Sequence, residues 1–335
     1  MSKRGRVYNR FFDLKDWEQV NHLNKEIMED YKMELKQNQK SDGTINQYWS
    51  DWRIIMLFIY RKLNNKYILE LTKKDFRKFS LWLSEECNLS NARVNRLLSS
   101  LRSLLNYCEN EDDLEYDNNQ AKKVKGLPKK PVRDIVFLTD EQIMKLKNKL
   151  VEIGDYQKAT LIMLAYDSAG RKNELLQVKK ECFYNPNRRY TNKVVGKRGK
   201  VFPLVYFDET YRLSQLYLNQ RGEDDILDMW VIGTTNKVSI SEGTLYNWFL
   251  YMNDLLEEIE GKKIGFTVHS FRHTALENYN TGEHYMCKKL GKTDGFTLQE
   301  LQMLAHHSSS DTTADYLKEK DNELIGQMFG IQIDV

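Results

Sequence analysis

Cysteine is scarce, and its spacing excludes more than its number does. The four thiols, Cys87, Cys108, Cys182 and Cys287, form no Cys-x-x-Cys pair. A disulfide framework or a zinc site needs clustered spacing, so neither is expected, and a reduced, cytoplasmic compartment is the plain expectation. Long apolar runs are also missing. The longest, Ile54 to Tyr60, spans seven residues, against roughly 20 for a membrane-spanning helix. Met1 to Phe12 is basic and polar and leads into no apolar segment, which predicts neither export nor membrane insertion. Core material is present: 41% of the 335 residues are hydrophobic and 30% charged. That is too apolar for a disordered chain and long enough for two domains rather than one.

Proline is equally sparse, and two of the four fall together in Lys122 to Asp134, KKVKGLPKKPVRD. Mutually repelling lysines and extended X-Pro backbone, with almost nothing apolar to anchor them, predict a linker. An acidic run, Glu109 to Asp117, precedes it. The expected division is a first domain over 1–118, a basic linker over 119–136 and a second domain from Phe137. Charge divides along the same line. Residues 1–135 hold 26 Lys+Arg against 20 Asp+Glu, and residues 136–335 hold 25 against 28. The excess in the first half is consistent with a polyanion partner and equally with an ordinary solvated surface.

Before the linker the periodicity is helical, over Leu23–Gln39, Gly43–Lys62, Lys73–Glu86 and Asn91–Tyr107, and predicts a small bundle. In the last of these, Val94, Leu98, Leu101 and Leu105 form one stripe. Arg93, Arg96, Ser99, Ser100 and Ser103 take the opposing face, where short side chains between arginines suit either a phosphate backbone or plain solvent. After the linker, Thr139 and Gln142 have capping-box spacing. Tyr156–Tyr166 and Arg171–Val178 read as helices broken at Ser168-Ala169-Gly170. The period then changes: Tyr190–Val195 and Lys200–Tyr206, separated by Gly196-Lys197-Arg198-Gly199, predict a β-hairpin with a basic tip. Helical patterning resumes at Thr244 and continues to the end.

Four of the six histidines fall in two short segments, His269-Ser-Phe-Arg272-His273 and His306-His307. Singly, each reads as a surface pair, and no carboxylate or thiol stands at metal-ligand spacing beside them. In chain order the motifs say more. Arg171-Lys-Asn-Glu174-Leu is followed by Val195-Gly196-Lys197, then His269-x-x-Arg272-His273, then His307, and nine residues later Tyr316. This series resembles the catalytic domain of the tyrosine recombinases, or phage integrases. There the motifs run Arg-x-x-Glu-Leu, a hairpin lysine, His-x-Leu-Arg-His and Leu-Gly-His…Thr-Thr-x-x-Tyr.

The resemblance covers residues 137–320 and implies a mainly α fold with a small β-hairpin. An N-terminal helical, SAM-like core-binding bundle would precede the catalytic domain. It further implies a site-specific recombinase that cuts and rejoins double-stranded DNA through a 3′-phosphotyrosine, with no cofactor and no metal. Carried over residue by residue, Arg171 and Arg272 would clamp the non-bridging phosphate oxygens and Glu174 would orient Arg171. Lys197 would protonate the leaving 5′-oxygen. His269 would assist the tyrosine proton or touch the phosphate, with His273 behind it. His307 would donate to a non-bridging oxygen, and Tyr316 would be the nucleophile. Lys193, Arg198 and Lys200 share the hairpin with Lys197 and fit plain phosphate binding. Arg93, Arg96, Lys122, Lys123, Lys125, Lys129 and Lys130 are the remaining expected DNA contacts, and Lys3–Arg10 reads as an arm or a frayed end. The tail, 321–335, would dock on a neighbouring protomer, in a tetramer on DNA.

Three departures from the pattern stand out. His306 replaces the usual glycine, where a positive φ would strain an imidazole. Phe271 replaces a leucine, and Asp311 and Asp315 bring negative charge near Tyr316. Among nineteen tyrosines, Tyr279 and Tyr285 are the nearest rivals for the nucleophile. A different class of function fits the same scaffold: a DNA-binding regulator, repressor-like and dimeric or smaller, that does not cut. A type IB topoisomerase is the third reading.

Overall fold

The computed structural model describes residues 10–128 and 135–306. Backbone contacts divide the chain into two compact units, with the boundary between Asp134 and Ile135.

The first unit is all helical: α1 (Leu14–Gln19), α2 (His22–Gln37), α3 (Asp42–Lys62), α4 (Lys73–Leu81) and α5 (Asn91–Asn110). Side-chain caps set the starts, with Ser41 accepting from the Thr44 N–H and Ser90 from the Arg93 N–H. The expected stripe on α5 is buried, Val94, Leu98, Leu101 and Leu105 each being at most 1% exposed. Leu97 and Leu104 are buried as well, so the apolar sector is wider than the stripe. Two residues expected on its wet face turn inward. Ser100 is buried and its carbonyl accepts from the Trp52 indole at 3.3 Å, and Ser103 Oγ lies 2.6 Å from the Tyr31 hydroxyl. The helix expected over Lys73–Glu86 gives way to a π-turn at Trp82–Glu86.

The basic segment begins as packed structure rather than as a linker. Ala121 and Val124 are buried in the first core, and Arg102 donates to the carbonyls of Ala121 and Val124 at 3.2 and 2.6 Å. Asn95 holds Leu127 through its side-chain carbonyl and its amide, at 2.7 and 2.8 Å. Two small apolar side chains are enough to seat a short 3₁₀ helix (Gln120–Lys123), despite the lysines around them. Residues 129–134 fall outside the described residues.

The second unit forms around α7 (Tyr156–Ser168), which follows α6 (Asp140–Glu152). From Ala159 onward every residue of α7 is buried, because α6, α9 (Asp208–Arg221) and α11 (Val268–Asn280) pack around it. A helix covered on all sides needs no polar face, which is why its sequence shows little amphipathy. The Thr139–Gln142 capping box starts α6 as its spacing predicts. The break after α7 is real: Ala169 adopts φ +48°, and α8 (Lys172–Leu176) starts afresh behind it.

The hairpin also forms as predicted, with β1 (Tyr190–Val195) antiparallel to β2 (Val201–Val205), Val194 opposite Phe202, and a bulge between Tyr190 and Lys193. A second two-stranded pair, β3 (Val231–Ile232) with β4 (Val238–Ser239), precedes α10 (Glu242–Glu260). Two short helices, α12 (Tyr285–Leu290) and α13 (Leu298–Leu304), follow α11. The fold is mainly α with a small β component, and all four thiols are buried and unpaired. Among the described residues no helix is long and apolar enough to cross a membrane.

Candidate active site

Three elements widely separated in sequence deliver charged groups to one place in the second unit. Arg171 caps α8, donating from its backbone N–H to Glu174 Oε2 at 2.8 Å and from Nη1 to Glu174 Oε1 at 2.9 Å. Arg272 projects from α11, whose N-terminus is fixed by a Thr267–Ser270 capping box. Its guanidinium is 2% exposed; it donates to the carbonyls of Ala169 and Ala305 and lies 3.8 Å from Glu174 Oε2. One buried carboxylate therefore sits between two guanidiniums and leaves the cluster with one net positive charge, as anion recognition requires.

The hairpin closes the third side. A Cβ on Gly196 would lie 2.6 Å from the Phe202 ring and 3.1 Å from Glu174 Oε1, so only glycine lets the strand approach the carboxylate this closely. Lys197 follows it, exposed at the tip. His269 is exposed at the cavity wall, its Nε2 3.4 Å from His273 Nε2. Desolvation, and then the positive charges of Arg272 and Arg171, hold the His269 pKa below the usual imidazole value. The ring is accordingly neutral at physiological pH and able to accept a proton. Arg171, Glu174, Lys197, His269 and Arg272 all line one cavity of about 580 Å³. Four of the six expected catalytic side chains thus converge, with Glu174 between the guanidiniums. His307 and Tyr316 lie outside the described residues.

No family model matches the chain. It is 25% identical over 321 residues to the SPbeta prophage-derived recombinase-like protein YomM of Bacillus subtilis (strain 168), covering 92% of this chain and 90% of that one. Among solved structures it resembles the XerH site-specific recombinase bound to palindromic difH substrate, with TM-score 0.64 and 16% identity, over 86% of this chain and 79% of that one. It also resembles a lambda integrase dimer bound to a COC′ core site, with TM-score 0.62 and 16% identity, over 88% and 77%. A third match is the Tn1549 transposon integrase in complex with a circular intermediate DNA, with TM-score 0.60 and 14% identity, over 91% and 98%. The fold is that of the tyrosine recombinases.

On this tyrosine recombinase fold the departures from the sequence pattern acquire physical meaning. His306 does adopt a positive φ, +53°, and its ring stacks on Phe202 with centroids 3.6 Å apart. Phe271 is core, edge-on to Phe249 at 5.8 Å and to Tyr166 at 6.2 Å. The rival tyrosines turn away from the cavity. Tyr279 donates to the Asp167 carbonyl at 2.8 Å and Tyr285 to the Asp167 carboxylate at 2.6 Å. Asp167 itself, absent from any motif, is fully buried, and burial pushes its pKa up to about 7 against hydrogen bonds from Tyr285, Thr210 and Phe207.

The basic residues expected to meet DNA divide into two kinds. Arg93 and Arg96 both converge on buried Asp51, at 2.6 and 3.6 Å. Arg93 is mostly covered, whereas Arg96, half exposed, lines a groove of about 440 Å³ with Gln47, Tyr48, Ser99 and Ser41. Lys123 and Lys125 line another, of about 370 Å³, with Lys73 and Arg77, which carry no signal in the sequence because they lie far away on α4. Lys122 instead pairs with Glu109, and Lys200 reaches the His306 carbonyl at 3.4 Å. Arg198 shares the turn with Lys197, while Lys129, Lys130 and residues 1–9 lie outside the described residues. Asp51→Ala should leave the mostly covered Arg93 without its counter-charge and lower the stability of the first unit by about 3 kcal/mol. Urea unfolding followed by tryptophan fluorescence checks this, and a change below about 0.5 kcal/mol, the scale of a surface pair, would remove Asp51 from that role.

Proposed function

We propose that this chain is a site-specific DNA recombinase that cuts and rejoins DNA through a covalent 3′-phosphotyrosine. The observation that carries the reading is the single cavity lined by Arg171, Lys197, His269 and Arg272, with one carboxylate set between the two guanidiniums. Displacing a DNA 5′-oxygen requires charge stabilisation on the non-bridging oxygens, a base for the nucleophile and an acid for the leaving group.

The residues divide that work. Arg171, Arg272 and His307 hold the non-bridging oxygens. The Tyr316 hydroxyl, ordinarily ionising near pH ~10, gives its proton to neutral His269 as its oxygen bonds to phosphorus. The bond from phosphorus to the 5′-oxygen breaks, and Lys197 protonates that oxygen. The phosphotyrosine conserves the bond energy, so attack by a free 5′-hydroxyl reverses the step without a nucleotide cofactor. The first unit, as core-binding domain, would grip the duplex through Arg96 and the Lys73–Arg77–Lys123–Lys125 groove. Four protomers would assemble on two sites, the tail 321–335 docking in trans.

The test uses a nicked duplex carrying the sequence that the full chain selects from a random DNA pool. The expected result is a protein–DNA adduct that survives a denaturing gel and is absent in Tyr316→Phe, whose DNA binding is unchanged. Tight, selective binding with no adduct would replace the enzyme with a silent regulator on the same scaffold.

A further inference from the structure

We propose that His306 is a positioning residue that clamps the Lys197 hairpin to the Arg272 guanidinium. Its effect on chemistry rests on the recombinase reading, while its geometry does not. Ala305, the C-cap of α13, and His306 just beyond it are held at three points. Arg272 Nη2 donates to the Ala305 carbonyl at 2.8 Å, Lys200 Nζ reaches the His306 carbonyl at 3.4 Å, and the imidazole lies on Phe202 at 3.6 Å with 18° between the planes. Phe202 in turn fills the space that a Cβ on Gly196 would need, and the Gly196 N–H closes the turn on the Lys200 carbonyl at 2.7 Å. A continuous path of contacts therefore runs from Arg272 through Ala305–His306 and Phe202 to the residue before Lys197.

The hairpin needs such a clamp. Buried Val194 and Leu204 seat the strands and Gln177 brackets Val195, but the tip carries Lys197 beyond these supports, and a proton donor must be held to within about 1 Å of its place, since a displacement of that size can slow a reaction by ~10²-fold. His306 is also where the backbone is under strain. At φ +53° a glycine would be relaxed, whereas a residue with a side chain is disfavoured. Strain of this kind persists where surrounding contacts over-determine it, and the ring stack with the two carbonyl contacts is what surrounds it here. Burial chiefly disfavours protonation of the ring; of the charged groups facing it, Glu174 opposes this and Arg272, Arg171 and Lys200 add to it. A neutral ring stacked on Phe202 is the outcome, and it adds no charge to the cluster beside it.

The test compares the full-length chain with His306→Gly, which relieves the backbone, and His306→Phe, which keeps a ring. Hydrogen exchange of the amides over 195–201 is read without DNA, and single-turnover cleavage of the selected nicked duplex alongside. In His306→Gly, exchange should quicken and cleavage fall roughly 10–100-fold at unchanged DNA affinity, with His306→Phe restoring most of both. Phe202→Leu should reproduce the glycine variant, guarding against an effect confined to position 306. Unchanged exchange in His306→Gly, or quickened exchange with unchanged cleavage, overturns the positioning role. If exchange quickens while even the wild-type chain cleaves nothing, the clamp stands and the recombinase reading falls.

Discussion

Arg272→Ala is expected to slow strand cleavage by about 10²–10³-fold, the loss typical of removing one preorganised donor from a developing oxyanion. Geometry makes this position less forgiving than its partner. The Arg272 guanidinium is 2% exposed and spans two backbone carbonyls, those of Ala169 and Ala305, while facing Glu174. It is locked before any phosphate arrives, so no reorganisation is needed during reaction. Lys172, which lines the same cavity, offers no substitute charge, because its ammonium is paired with Glu242 at 2.8 Å. Arg272→Lys should be nearly as slow as alanine, since a point charge on a flexible stem cannot bridge both carbonyls. Single-turnover cleavage at saturating protein separates this from weakened binding. A loss of less than tenfold in both variants would mean that Arg272 is structural only.

Glu174→Ala carries the second large effect, on stability first. The carboxylate is 2% exposed and pairs with both guanidiniums. Removing it leaves two like charges facing each other beside the hairpin, and breaking a buried pair in this way costs about 3–5 kcal/mol. Arg171, with its side chain 24% exposed, can swing towards water, which favours the lower end of that range. Glu174→Gln should lie between wild type and alanine, because it keeps the shape and an acceptor for the Arg171 N–H but not the charge. Hydrogen exchange of the Val268–Asn280 amides across a denaturant series reads the second unit. Stability within about 1 kcal/mol of wild type in Glu174→Ala would contradict the arrangement, since that is the worth of an exposed pair.

Local chemistry made part of this legible in the sequence. The hairpin was readable because Val- and Tyr-rich segments flank a Gly-bounded tip, and period and turn chemistry agree there. Arg171 with Glu174, and His269 with Arg272, were readable because three residues make about one helical turn. Contacts closed only by the fold were not. Arg93 meets Asp51 across 42 residues, and Arg272 meets the Ala169 carbonyl across 103; neither pairing leaves a local signature. The lysine-rich stretch after Asn119 misled for a related reason, as charge density predicted a linker where buried Ala121 and Val124 decide the packing. His306 was visible as a misfit, but that its ring would find Phe202 depended on where the hairpin lies.

The most direct test of the covalent mechanism is to digest the trapped protein–DNA adduct and find, by mass spectrometry, which side chain carries the nucleotide. The expected result is a phosphotyrosyl linkage on the peptide containing Tyr316, joined to the 3′ end of the cleaved strand. A linkage on Tyr246, which borders the same cavity, on any other residue, or to a 5′ end would contradict it.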